Sequence, residues 1–281
     1  MTRSKIAFQG EPGANGDEAC RTYFPDHIPA PYAAFEDAFD AIKSGECELG
    51  LIPMENSIVG RIADVHHLLP SSGLKIVGER FKPIHFQLMA NPGVKLEDVQ
   101  VVASMAPALG QCRKWLRRQG VRLEPASDTA GAAKALAAQP DRTRAAIAPA
   151  LAAELYGLNI LARDIEDDPT NTTRFIVMTR ESDPARPPPG ERCVTSFVFR
   201  VRNIPAALYK ALGGFATNGV NMTKLESYME NGAFTATFFY SEVDGRPEDK
   251  GLAQAFEEAH FFSDHFEILG VYPADPYRFR S

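Results

Sequence analysis

A chain of 281 residues is long enough for two domains with separate cores, and 44% hydrophobic with 23% charged residues is an ordinary globular composition. A formal net charge of -6 argues against nucleic acid as a partner. Cys20, Cys47, Cys112 and Cys193 are scattered without a Cys-x-x-Cys pair, which fits reduced, buried thiols rather than a disulfide frame or a zinc site.

The strand-like Lys5-Ile6-Ala7-Phe8 follows Met1 so closely that no signal peptide fits before it, and no apolar run approaches the roughly 20 residues of a membrane span. A cytoplasmic protein with no membrane partner is therefore expected. Gly10-Glu11-Pro12-Gly13-Ala14-Asn15-Gly16 reads as a strand-to-helix turn ahead of a helix from near Asp17. Its glycines would also let a ligand approach the backbone, but their spacing fails the dinucleotide fingerprint. Residues 34–42 have helical spacing, and Leu49-Gly50-Leu51-Ile52 reads as a buried strand of a parallel sheet. That strand delivers Glu55, Asn56 and Ser57 to its carboxyl end, where open α/β sheets bind ligands. Ser57 reads equally as a ligand contact or as the N-cap of a helix through Ile58-Val59 and residues 62–69. His66-His67 are adjacent, point in different directions, and make no metal pair.

Residues 74–90 are strand-prone, interrupted by Pro83, and expected to cross between two lobes; His85 reads as a structural histidine. Residues 99–103 predict a strand, 104–111 open a helix carrying Trp115, and 121–124 lead to the helix start Asp128-Thr129-Ala130-Gly131. That start is either an ordinary capped helix or a place where small residues let backbone amides meet an anion. Residues 145–148, 149–156 and 158–161 read as strand, helix and strand. The acidic loop through Asp168-Pro169 then opens into Asn171-Thr172-Thr173-Arg174-Phe175 and a short buried strand to Met178. At such a junction Arg174 can fork onto a carboxylate and a Thr hydroxyl can donate to a leaving oxygen, although the pentapeptide alone also reads as a solvated turn. Residues 181–192, dense in proline and charge, form a semi-rigid linker. Strands at 194–201, 220–229, 233–243 and 266–271 with helices at 206–217 and 249–262 then give a βαββαβ order, the ferredoxin-like pattern.

Taken together these motifs resemble the prephenate dehydratase family across nearly the whole chain. The carriers are Pro53-Met54-Glu55-Asn56-Ser57 with Gly60, and Asn171-x-Thr173-Arg174-Phe175, supported by Tyr156-Gly157-Leu158 and Asp128-Thr129-Ala130. The C-terminal part looks like an ACT domain through Asn203-Ile204-Pro205-Ala206-Ala207-Leu208 and the run from Gly219 to Ser227. The chain departs from the family pattern at Gly16-Asp17, at Met105-Ala106-Pro107 and at Tyr228-Met229.

The resemblance implies an α/β fold: a two-lobed, periplasmic-binding-protein-like catalytic domain over 1–181, a Pro-rich linker over 182–193, and a ferredoxin-like α+β ACT domain over 194–281. It implies a hydro-lyase that converts prephenate to phenylpyruvate, without cofactor or metal, in phenylalanine biosynthesis. Thr173, Arg174 and Glu55 would be catalytic, with Glu55 either supplying a proton or orienting Asn56. Asn56, Ser57, Thr129, Asn171 and Phe175 would bind substrate. Phenylalanine would act as effector on Pro205, Ala206, Ala207, Leu208, Asn221, Met222, Thr223, Glu226 and Ser227, at an interface of a homodimer or homotetramer. Arogenate dehydratase and a non-catalytic ligand-binding regulator are the alternatives. A chain ending near Asp183 would keep dehydratase activity and lose the phenylalanine response.

Overall fold

The computed structural model describes residues 3–188, 190–229 and 236–280. The chain packs as two compact units, residues 1–65 with 80–175, and residues 66–79 with 176–281. In chain order the first part runs β1 (Lys5–Gln9), α1 (Asn15–Tyr23), β2 (Ile28–Tyr32), α2 (Phe35–Ser44), β3 (Leu49–Asn56), β4 (Gly60–Arg61), α3 (Ala63–Leu68), β5 (Lys75–Pro83) and β6 (Gln87–Ala90). It continues β7 (Val101–Met105), α4 (Ala106–Gln111), α5 (Arg113–Gln119), β8 (Arg122–Ala126), α6 (Thr129–Ala138), β9 (Arg144–Ala148), α7 (Ala150–Tyr156), β10 (Asn159–Ala162) and β11 (Thr172–Thr179). The boundary between the units passes through β5 and β11.

Two sheets carry the α/β part, one in the order β2-β1-β3-β11-β5 with β4 on β3, the other β10-β6-β9-β7-β8. Strands followed by a helix pair in parallel, β1 with β2 and β3, and β7 with β8 and β9. β10 and β9 flank β6 antiparallel. One face of the second sheet packs large side chains, among them Phe86, Leu88, Val102, Leu109 and Ile147. Around Ala130, Ala133, Ala146, Ala148 and Ala152 a second cluster is built almost wholly of alanine, which lets α6 and α7 lie close to the strands. β11 is buried at every position, as a strand covered on both faces must be.

Three local features differ from the sequence reading. β2 was not anticipated, because Pro29 and Pro31 lack ladder donors; it survives as the sheet's edge strand, the place that tolerates proline. α1 opens at Asn15, two residues before the expected Asp17. Ile58-Val59 is not helical: Asn56 Oδ1 accepts from the Ile58 and Val59 amides at 2.9 and 3.0 Å, and Gly60 at φ 89° turns the chain back as β4 against β3. The helix over 62–69 shrinks to α3.

The second unit contains β12 (Cys193–Val201), α8 (Ala207–Thr217), β13 (Met222–Met229), β14 (Ala236–Asp244), α9 (Lys250–Phe262) and β15 (Ser263–Pro273). Residues 233–235 of the expected third strand lie outside the described residues. The antiparallel order β13-β14-β12-β15 is that of a ferredoxin-like βαββαβ fold. Phe197 stacks against Phe199, Phe215 and Phe266 and meets Phe256 edge-on, filling the space between the sheet and its two helices. Residues 66–79 pack in this unit as well. Lys75 Nζ lies 2.9 Å from Glu267, and a Cβ at Gly270 would fall 2.1 Å from Ile76 O, so only glycine fits that approach. The proline-rich segment is tied down too, since Arg246 Nη1 donates to Pro187 O at 2.9 Å.

Candidate active site

The site forms where β3 and β11 end side by side in the first unit. Ser57 N donates to Thr172 O at 2.8 Å, Ser57 Oγ accepts from Thr172 N at 3.0 Å and donates to Thr170 O at 3.1 Å. Its hydroxyl therefore joins two strand ends and caps no helix. This pairing brings Asn56, 115 residues away in sequence, onto Asn171: Asn56 Nδ2 donates to Asn171 Oδ1 at 2.8 Å and to Thr173 Oγ1 at 3.0 Å. The backbone amides on Asn56 Oδ1 leave Nδ2 as the only group that can face Thr173, so the amide orientation is fixed. Asn171 Nδ2 in turn donates to Gln111 Oε1 at 2.7 Å. Because Thr173 Oγ1 accepts from Asn56, its own proton is directed elsewhere.

A cleft of about 500 Å³ lies against this network. Asn56, Thr129, Thr173 and Phe175 line it, with an apolar wall that includes Phe35, Ile84, Phe86 and Met105. Thr129 is the first residue of α6, whose N-cap Asp128 accepts from Gly131 N at 2.6 Å. Glu55, Ser57, Asn171 and Arg174 are not on the lining. Arg174 is buried, its Nη1 2.9 Å from Glu55 Oε1 and its guanidinium 5.9 Å from the Phe81 ring centre. The pair thus locks β11 to β3 beneath the cleft. Asn15, Arg61 and Gln111 line the cleft and were not singled out as site residues from the sequence. Arg61 arrives because the tight turn set by Asn56 and Gly60 folds β4 back beside Glu55.

Among the described residues one group, His85, Asp164 and Glu166, brings imidazole and carboxylate atoms close enough to hold an ion. Glu166 is already engaged: its Oε1 lies 2.8 Å from His85 Nδ1 and its Oε2 accepts from Phe86 N at 2.9 Å, a clasp on the loop before β6. All four cysteines are buried and free, and burial pushes the thiols of Cys20, Cys47, Cys112 and Cys193 up.

In the second unit Pro205 precedes α8, and Ala206, its N-cap, adopts a left-handed conformation at φ 62°, ahead of Ala207 and Leu208 in the first turn. Met222, Thr223, Glu226 and Ser227 lie on the edge strand β13. Asn221 Nδ2 donates to Asp244 Oδ2 at 2.7 Å, and Glu226 lies 3.4 Å from Lys224 Nζ. Tyr228 sets its hydroxyl 2.5 Å from Nδ1 of the buried His66.

The family model "Prephenate dehydratase" matches residues 6–183. A Komagataeibacter europaeus protein named bifunctional N-acyl-homoserine lactone acylase/prephenate dehydratase is 47% identical over 274 residues, 97% of either chain. Arogenate dehydratase 2 of Petunia hybrida is 35% identical over 288 residues, 98% of this chain and 73% of its own. The crystal structure of prephenate dehydratase in complex with L-Phe from Arthrobacter aurescens matches with a TM-score of 0.87 at 30% identity, covering 96% of this chain and 90% of that one. With the Asn56–Asn171–Thr173 network at the head of an α/β cleft, a ferredoxin-like second unit and these matches over nearly its full length, the chain belongs to the prephenate dehydratase family.

Proposed function

We propose that the cleft converts prephenate to phenylpyruvate and that the observation carrying this reading is the Asn56-to-Thr173 hydrogen bond at 3.0 Å. Prephenate plus one proton yields phenylpyruvate, CO2 and water. The carboxylate on the ring leaves as CO2, its bond electrons enter the ring, and the hydroxyl departs and is protonated to water. Thr173, with its oxygen accepting from Asn56, donates its proton as a hydrogen bond to the departing hydroxyl oxygen. The apolar wall withholds water from the ring carboxylate, which favours its loss as neutral CO2. Arg174 and Glu55 act by holding the two strands in register, and Asn171 by orienting Asn56. Thr129, Asn56 and Phe175 bound the substrate directly. The experiment is ultraviolet detection of phenylpyruvate from prephenate by the purified chain; a chain that produces none sinks this reading.

The second unit reads as an ACT domain that binds phenylalanine, supported by its βαββαβ order and by the Arthrobacter relative solved with L-Phe. The α8 opening and β13 would frame the effector at an interface of a cytoplasmic homodimer or homotetramer. Among the described residues no helix is long and apolar enough to cross a membrane.

A second activity is favoured by the Komagataeibacter relative, whose name pairs the dehydratase with an N-acyl-homoserine lactone acylase and whose length matches this chain throughout. The expected outcome is release of homoserine lactone and a free fatty acid from an N-acyl-homoserine lactone, followed by mass spectrometry. Intact lactone after prolonged incubation with dehydratase-active protein removes this reading.

A further inference from the structure

In the second unit α8 and α9 cover one face of the sheet, and the cross-strand partners Phe199 and Phe239 turn toward them. Arg200 and Phe238, the next pair, therefore turn to the opposite face. The pairing runs as one row through all four strands, from Tyr228 to Phe238, to Arg200 and to His265. Residues in such a row stand side by side on one face. A cavity of about 310 Å³ lies on the row, and His66 and His67 complete its wall. All six residues belong to the second unit, and the α8 opening proposed for the effector packs on the other face.

The ionisable groups of the described lining are three imidazoles, one guanidinium and the Tyr228 phenol, without a carboxylate, in a chain of net charge -6. The phenol is 2.5 Å from His66 Nδ1, and Arg200 Nε donates to Asp264 Oδ1 at 2.7 Å. His67 and His265 make ring contacts with Tyr228 and Phe238 and no hydrogen bond to another described residue. Two imidazole N–H donors and a guanidinium lining one space suit a carboxylate. The Tyr228 and Phe238 rings, 6.0 Å apart, add an apolar surface that a flat ring covers and a bare phosphate leaves open. An ammonium would meet the guanidinium and find no carboxylate among the described lining residues. The volume is at the low end for small-molecule pockets, roughly 300–1,000 Å³.

We propose that this cavity is a second small-molecule site, one that takes an aromatic carboxylate without an amino group. On the strength of the dehydratase reading above, its ligand is the aryl keto acid that the cleft releases, phenylpyruvate. Arg200, His67 and His265 hold the carboxylate, and Tyr228 and Phe238 cover the ring. Binding makes and breaks no covalent bond.

The test is a titration of the full chain, labelled in its imidazole rings, with phenylpyruvate, read by NMR. No histidine is among the described residues lining the cleft, so the rings of the cavity report on the cavity. The His67 and His265 signals, assigned from His67→Gln and His265→Gln, are expected to move together and saturate. Arg200→Gln, which removes the charged donor, should weaken this binding about tenfold and leave kcat/KM on prephenate unchanged. Signals that stay still overturn the proposal. A shift with the same affinity in Arg200→Gln overturns it too, because it then originates elsewhere. Inorganic phosphate that binds as tightly as phenylpyruvate overturns it as an adventitious ion only. Should Arg200→Gln fail to fold, His265→Gln, read through His67, decides by the same criterion. Arg200-dependent binding in a chain that turns over no prephenate supports the site and overturns the dehydratase reading alone.

Discussion

Thr173 is a weak acid in water, so its value in the cleft lies in where its proton points. Asn56 holds the oxygen from one side, and Asn56 is itself held by two backbone amides and by Asn171. Thr173→Ala is expected to lower kcat by about 10²-fold with a smaller change in KM, as loss of a transition-state hydrogen bond does. Thr173→Ser, which keeps the hydroxyl, should retain part of the rate. Steady-state kinetics on prephenate decides, and an alanine variant with near-normal kcat removes Thr173 from the reaction. The buried Arg174 carries an ion pair within the protein that residue type alone does not foretell. A guanidinium beside a threonine hydroxyl suggests a carboxylate of the substrate, and in the fold Arg174 Nη1 lies 2.9 Å from Glu55 of the protein itself.

At the scale of the element, the loop that feeds β11 is closed by its own side chains. Asp168 Oδ1 accepts from Thr170 Oγ1 at 2.6 Å and from Thr170 N at 2.8 Å, and these two bonds hold its carboxyl below the usual aspartate range. A carboxyl whose pKa is lower in the fold stabilises it fully above the unfolded value, about 4, and loses that contribution as pH falls through the folded one. Asp168→Asn should therefore melt below the wild type at pH 7, and the difference should close below about pH 4. Thermal melts across that range check it, and a gap independent of pH would show that the carboxylate does not close the loop. The neighbouring turn at 56–60 was misjudged from sequence for the same kind of reason. Apolar Ile58 and Val59 fit a helix by spacing, but a side-chain acceptor two residues upstream captured their amides first.

For the whole molecule, the proline-rich stretch suggested a clean cut near Asp183. The packing revises that expectation, because residues 66–79 belong to the same compact unit as 176–281. Glu79, fully buried, takes two hydrogen bonds from Arg278 at 2.6 and 2.8 Å, and Arg278 also reaches Glu242 at 2.8 Å. Removing one partner of such a buried cluster costs roughly 3–5 kcal/mol. A chain ending at Asp183 should accordingly melt far below the full chain and lose activity, and Arg278→Ala should show part of the same loss. Calorimetry on all three proteins tests this, and a truncated chain with an unchanged melting temperature would mean that residues 66–79 need no partner.

Much of this protein was legible before any coordinates. Alternating strand and helix periods yield the α/β part, two runs of βαβ give the ferredoxin-like unit, and the motifs at 53–57 and 171–175 mark the site, because hydrophobic period, caps and turn residues act over a few positions. Tertiary structure alone placed Asn15 and Arg61 on the cleft, turned Arg174 onto Glu55, kept the proline-bearing β2 as an edge, and assigned 66–79 to the C-terminal unit. These depend on which segments lie side by side, and in the case of Arg174 and Glu55 the pairing joins residues 119 positions apart through a contact that leaves no local trace.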